Sequence, residues 1–192
     1  MKRFRTSLLL LLLIVFLPVA SDAETPLPEP GKKLVPLRLP APADPAGKKN
    51  LGLADPGTEF TLSDLKTELV LIEVIGVYCP QCFKQAPEFN KLYERLNKGK
   101  MKGRVAMFAL AAGGAEPEIE QLLQSGQYAF PVVADTTYEA HKRLGEPKTP
   151  FTILCRPDGP FFIPILGSSP ILMVFTQRSK GSSASDDALS AP

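Results

Sequence analysis

Cysteine is scarce in this chain of 192 residues, with only 3 in all. Three cysteines cannot staple a disulfide-framed miniprotein, so an apolar core must hold the fold, and the length suits one domain with such a core. Net charge is just as thin, at +2 from 22 basic and 20 acidic residues. That excludes electrostatic capture of nucleic acid, and no nucleic-acid partner is expected. Losing the first 23 residues would remove Lys2, Arg3, Arg5 and Asp22, leaving 19 charges of each sign. Internal repeats are absent. Gly113-Gly114 is followed by no lysine or serine in a phosphate-loop arrangement, so a nucleotide site is unsupported.

What the chain does have begins with a leader. Lys2, Arg3 and Arg5 precede ten uninterrupted apolar residues, Leu8 to Leu17, then Pro18 and the small residues Ala20, Ser21 and Ala23. This is the pattern of a secretory signal peptide over residues 1–23, cleaved after Ala23. The run is short for a spanning helix, which needs about 20 apolar residues. A retained N-terminal membrane anchor is the alternative. On either reading the rest of the chain lies in the periplasm or another extracytoplasmic space, where cysteines meet oxidising conditions.

Residues 24–56 hold eight prolines and read as a Pro-rich spacer, because proline neither donates to a helix nor sits in a central strand. The domain is expected over 57–176 and a Ser- and Asp-rich disordered tail over 177–192. Thr67 to Ile75 (TELVLIEVI) has the apolar, β-branched character of a strand covered on both faces. Cys82 to Leu96 reads as a helix, Arg104 to Ala111 as a strand and Glu116 to Ser125 as a helix. Further along, Phe130 to Ala134 reads as a strand, Thr136 to Leu144 as a helix and Phe151 to Cys155 as a strand. Arg156 to Gly159 forms a turn and Phe161 to Leu166 a strand, which Pro164 marks as an edge. Ile171 to Phe175 is a last strand or an irregular end. Strands alternating with helices make an α/β domain: a central mixed β-sheet with helices on both faces.

The chemistry gathers at Val77 to Pro87, VYCPQCFKQAP. Cys79 falls where the helix begins and Cys82 about one turn in, on one face and close enough to bond. Free N–H groups and the positive dipole end stabilise a thiolate on Cys79, which makes it the nucleophile. Cys82 then resolves a mixed disulfide by attacking Cys79. A zinc half-site competes poorly, since only Cys155 and His141 remain as soft ligands. A purely structural bridge would close a tiny loop and stabilise little. No cofactor is required, because a dithiol carries two electrons itself, and no metal is expected. Cys155 reads as an inert core thiol and His141 as a solvated helix residue.

These residues resemble the thioredoxin-like superfamily, and more closely its TlpA/ResA-type extracytoplasmic thiol-disulfide oxidoreductases. Cys79-Pro80-Gln81-Cys82 matches the active-site motif, Pro87 the proline that kinks the active-site helix, and Thr149-Pro150 the cis-proline beside the dithiol. Phe60 to Gly159 carries the likeness. It implies a thioredoxin-like fold and a buried carboxylate at Glu73 that accepts a proton from the resolving cysteine. Independently, an acid inside LVLIEVIGVY faces low-dielectric protein, where desolvation raises its pKa; a solvent-facing acid on a twisted strand is the competing reading. The Thr149 backbone beside a cis bond would pair with a substrate strand. Tyr78 stands where the family more often has tryptophan, as a partner contact or as surface packing. The resemblance implies a monomeric reductase of protein disulfides, fed by a membrane thiol electron donor and acting on targets such as apocytochromes c. Neutral Gln81 and Pro80, which lacks an N–H, point the same way. A disulfide-forming oxidase or isomerase and a non-catalytic binding module are the alternatives. A thiol peroxidase is disfavoured, because Gly76 stands where those members carry threonine.

Overall fold

A computed structural model describes residues 25–54 and 57–159, and the backbone of 161–165. The leader, the C-terminal end of the expected domain with its proposed strand at 171–175, and the tail at 177–192 lie outside the described residues. The fold is thioredoxin-like α/β. Five strands form one mixed sheet: β3 (Leu69–Gly76), β4 (Val105–Ala112), β5 (Val132–Asp135), β6 (Phe151–Cys155) and β7 (Phe161–Ile165). Their order is β5-β4-β3-β6-β7. β3, β4 and β5 run parallel, whereas β6 is antiparallel to β3 and β7 to β6. Pro164 falls on the outer strand, where a missing ladder donor is tolerated.

β3 is central and buried on both faces, as its unbroken apolar run requires. Its alternate residues feed two separate cores. Val70, Ile72 and Val74 face one, and Leu71 and Ile75 face the other. The second core is roofed by α2 (Pro80–Leu96), which buries Cys82, Gln85, Ala86, Phe89, Leu92 and Leu96 along one helical face. Ile119 of α3 (Glu116–Gln124) also packs there.

The first core is closed by chain that sequence assigned to the spacer. Leu34, Leu37, Leu39 and Leu51 are buried in it. β1 (Arg38–Pro40) pairs antiparallel with β2 (Glu59–Thr61) in a separate two-stranded sheet, where Pro40 is accommodated at a strand end. α1 (Pro45–Asn50) starts with Pro45 in its first turn, and Asp44 caps it through the Gly47 N–H. Proline density correctly disfavoured a central strand or a long helix. It did not predict that the leucines between the prolines would find a sheet face to cover.

Helix α4 (Glu139–Arg143) is shorter than the expected 136–144. Tyr138 takes a left-handed backbone, φ 59°, which bars a helix from starting earlier. The buried Asp135 carboxylate accepts from the N–H groups of Ala140 and His141, at 3.1 and 2.8 Å. The Tyr138 ring occupies the space that a Cβ on Gly113 would fill, so Gly113 is held to glycine by contact as well as by its φ of 71°.

Packing, not linkage, is therefore the role of residues 34–54. Leu39 is 1% exposed. Leu39→Ala should lower unfolding free energy by about 2–5 kcal/mol in urea titrations. Its exposed neighbour Arg38, ion-paired to Glu59 at 3.1 Å, should matter by less than about 1 kcal/mol when changed to alanine.

Candidate active site

β3 ends at Gly76, and α2 begins at Pro80 after three intervening residues. Cys79 is the N-cap: its backbone is extended, and its Sγ accepts from the Cys82 N–H at 3.1 Å. Pro80 opens the helix, where its missing N–H costs nothing. Cys79 and Cys82 are joined by a disulfide, their Cα atoms 5.3 Å apart. The two sulfurs are not equivalent. Cys82 is fully buried under the helix, while Cys79 is only half-buried. A protein partner can reach Cys79 alone.

Thr149-Pro150 is cis, and the Thr149 carbonyl oxygen lies 3.8 Å from Cys79 Sγ. Thr149 precedes Phe151, the first residue of β6 paired to β3, so it stands outside the sheet ladder. Tyr78, the residue before Cys79, is 79% exposed, and its hydroxyl donates to Glu118 Oε1 at 2.7 Å. Glu118 Oε2 accepts from the Ala115 N–H at 2.8 Å, capping α3. The Tyr78 ring is thus on the surface and tied to the start of α3, not packed inside.

Pro87 lies within α2 and has no N–H to offer the Phe83 carbonyl one turn earlier. Gln127 Nε2 donates to that carbonyl instead, at 3.1 Å. Asn90 strengthens the link, donating to the Gln127 carbonyl at 3.2 Å and accepting from the Ala129 N–H at 2.8 Å. Tyr128, between them, is held beneath the helix.

Glu73 has no exposed surface. It shares the α2 side of β3 with Leu71 and Ile75. Gln85 Nε2, one turn beyond Cys82, donates to Glu73 Oε1 at 3.4 Å. Burial pushes the carboxyl up from 4.5 to about 8. Of the two sequence readings, the solvent-facing acid is thereby excluded.

Cys155 is buried on the opposite face of the sheet from Cys82, and burial pushes its thiol up to about 12, which suits an inert core residue. His141 departs from the expected solvated face. It is half-buried, with Nε2 3.0 Å from the Pro147 carbonyl oxygen and its ring edge-on to Tyr138. Gln85, Gln127, Tyr128 and Glu118 were not singled out from sequence. Gln85 had a signal, a polar residue on the helix face that carries Cys82. The others become visible only once the loops are folded.

An α/β sheet carrying a cysteine pair at a helix start, a cis-proline beside it and a buried acid below defines the class of thioredoxin-fold dithiol proteins. Comparison with known proteins makes the assignment narrower. The Redoxin family pattern matches residues 39–158, and the chain belongs to that family. It is 31% identical over 103 residues to the thiol-disulfide oxidoreductase ResA of Bacillus cereus (strain ATCC 10987 / NRS 248), covering 54% of this chain and 57% of that protein. ResA of Bacillus subtilis (strain 168) is 29% identical over 103 residues, covering 54% and 55%. The match therefore spans little more than half the length of these relatives. Among solved structures, a thiol:disulfide interchange protein from Bacteroides sp. superposes with a TM-score of 0.62 at 14% identity, covering 81% of this chain and 93% of that one. A putative thiol:disulfide interchange protein DsbE from Chlorobium tepidum gives 0.57 at 19%, covering 80% and 96%. These two likenesses concern the fold.

The raised carboxyl has a measurable consequence for stability. The folded Glu73 keeps its proton up to about pH 8, whereas the unfolded chain releases it near 4.5. Between those values the native state binds more protons. Stability should fall as pH rises through that window, by about 1.4 kcal/mol per pH unit from this group, and level off above it. In the oxidised protein Glu73→Gln should abolish that slope in urea midpoints measured from pH 5 to 9. An unchanged slope would mean the carboxyl is not held protonated.

Proposed function

We propose that this protein is an extracytoplasmic thiol-disulfide oxidoreductase that works as a dithiol reductase of protein disulfides. The observation that carries this reading is the asymmetry of the pair, with Cys79 reachable at a helix N-cap and Cys82 buried and bonded to it. In the reduced protein the Cys79 thiolate is stabilised by the Cys82 N–H and the helix dipole. It attacks one sulfur of the substrate disulfide. A bond forms between Cys79 and the substrate, and one substrate thiolate leaves and takes up a proton. Cys82 gives its thiol proton to the Glu73 carboxylate, directly or through water. Its thiolate then attacks Cys79 Sγ, closing the Cys79–Cys82 disulfide and releasing the second substrate thiolate. Two electrons have moved from the dithiol to the substrate, and an external thiol donor must restore them.

The Thr149 carbonyl beside Cys79 supports docking of an extended substrate segment, and exposed Tyr78, next to Cys79 in the chain, supports an aromatic contact with it. The leader supports an extracytoplasmic setting, the match to ResA supports the activity class, and a membrane thiol donor is what the resemblance implies. Reduction rather than oxidation is favoured by Pro80, which has no N–H to donate to the thiolate, and by Gln81, which brings no charge to hold it. Apocytochromes c are the substrate class that the resemblance implies.

Cys82→Ala should convert the enzyme into a trap, accumulating a mixed disulfide on Cys79 with insulin or a native partner. Cys79→Ser should lose insulin reduction altogether. A measured potential near about −120 mV, the range of a strong oxidant, would reverse the proposed direction.

Glu73→Gln should slow the resolving step by about 10²–10⁴-fold near neutral pH and leave the first attack unaltered. Stopped-flow release of the second substrate thiol separates the two steps. An unaltered resolving rate across pH 6–9 would remove the acceptor role.

A further inference from the structure

Glu73 does not sit among apolar groups alone. Its Oε2 is buried with no hydrogen-bond partner among the described residues, and so are Thr152 Oγ1 and the Tyr128 hydroxyl. Thr152 is the residue of β6 registered directly across from Glu73. It alternates with Leu154, which packs in the core under α2, so Thr152 and Glu73 share a face. Tyr128 is held beneath α2 by the hydrogen bonds of Gln127 and Ala129, and its phenol is pushed up, first by burial and then by the charge of Glu73. Three buried polar atoms lacking partners thus come from three separate stretches of chain on the same side of the sheet. Buried polar groups are almost always satisfied, and a polar site of this kind is where proteins hold internal water.

We propose that Thr152 and Tyr128 are positioning residues for Glu73: their hydroxyls, linked to Oε2 through an internal water, hold the carboxylate form while Gln85 donates to Oε1. A hydroxyl can donate to a carboxylate or accept from a carboxylic acid. The charge-assisted arrangement is the stronger, so the set lowers the cost of ionising a group that burial otherwise keeps neutral. Strand register sets Ala109 of β4 and Thr152 of β6 beside Glu73, Gln85 of α2 donates to it, Tyr128 feels its charge, and Cys82 packs in the same core. Of these, Cys82 and Tyr128 titrate, and Cys82 does not while the disulfide is closed. The consequence for turnover rests on the reading of Glu73 as proton acceptor; the effect on the carboxyl does not.

The test is a carbon-13 NMR titration of Glu carboxyls in the oxidised full-length protein, with the Glu73 signal assigned by its loss in Glu73→Gln. Thr152→Val, which keeps shape and removes the hydroxyl, should move the Glu73 midpoint up by about one pH unit. Tyr128→Phe should also move it up, and Thr152→Ser should restore the wild-type value. Midpoints unmoved in both Thr152→Val and Tyr128→Phe would overturn the proposal, as would Thr152→Ser behaving like Thr152→Val. A merely structural role would alter unfolding midpoints without this titration pattern. If the hydroxyl variants shift the carboxyl while Glu73→Gln leaves the resolving rate unaltered, the hydroxyl set stands and the acceptor role falls.

Discussion

The site depends on where one helix starts. β3 carries the chain up through the middle of the sheet, and α2 begins after only three intervening residues. The first helical N–H groups need acceptors, and at this start the Cys79 sulfur is one of them. The sulfur that satisfies the helix end is also the one left half-exposed, so the helix start and the reachable sulfur are set by one interaction. Burial of the next turn follows from the same placement, because the helix lies across the sheet on the face that contains Cys82. One sulfur is offered to partners and the other is withheld, without any separate device to distinguish them.

Pro87 links this helix to the ground beneath it. A proline inside a helix frees a carbonyl, and a free carbonyl near the core needs a donor. Gln127 supplies it, and Asn90 adds two more bonds to the same turn. The turn is thereby fastened to α2, and Tyr128 with it. The T-shaped stack of Tyr128 on Phe130, at 5.4 Å, extends the same fastening into the core. A residue that looks at first like a kink is better understood as an anchor point for the polar region under the active site.

Much of this was legible in the residues, and the reasons for what was not are physical. The strand Phe151–Cys155 was read to the residue, because an apolar run between Pro150 and the Arg156 to Gly159 turn has sharp ends. The helix start at Cys79 was legible from the spacing of the motif, and the burial of Glu73 from the apolar residues on either side of it. Residues 34–54 were not, because local propensity weighs prolines, while the burial of Leu34, Leu37 and Leu39 is decided by a distant sheet face. The late start of the helix after Tyr138 was hidden for a similar reason: its left-handed backbone goes with a ring packed on Gly113, a contact across 25 positions of sequence. Thr152 became significant only through strand register, which no local pattern specifies before the sheet is assembled.

Glu73 shows how the fold and the chemistry oppose each other. Replacing it with an apolar residue of similar size would spare the sheet a buried acid, and the fully apolar neighbours Leu71 and Ile75 show that the position could be filled that way. A carboxyl left there without polar company would simply stay protonated and be useless as an acceptor. A carboxyl with too many donors would ionise permanently and have no appetite for a proton. Gln85 gives it one long amide contact, and two hydroxyls without partners among the described residues lie buried on the same side of the sheet, as the proposed positioning of the carboxylate requires. Under the proposed mechanism this is the acid that would take a proton from the sulfur above it, and burial is what brings its pKa up to about 8, within reach of that exchange.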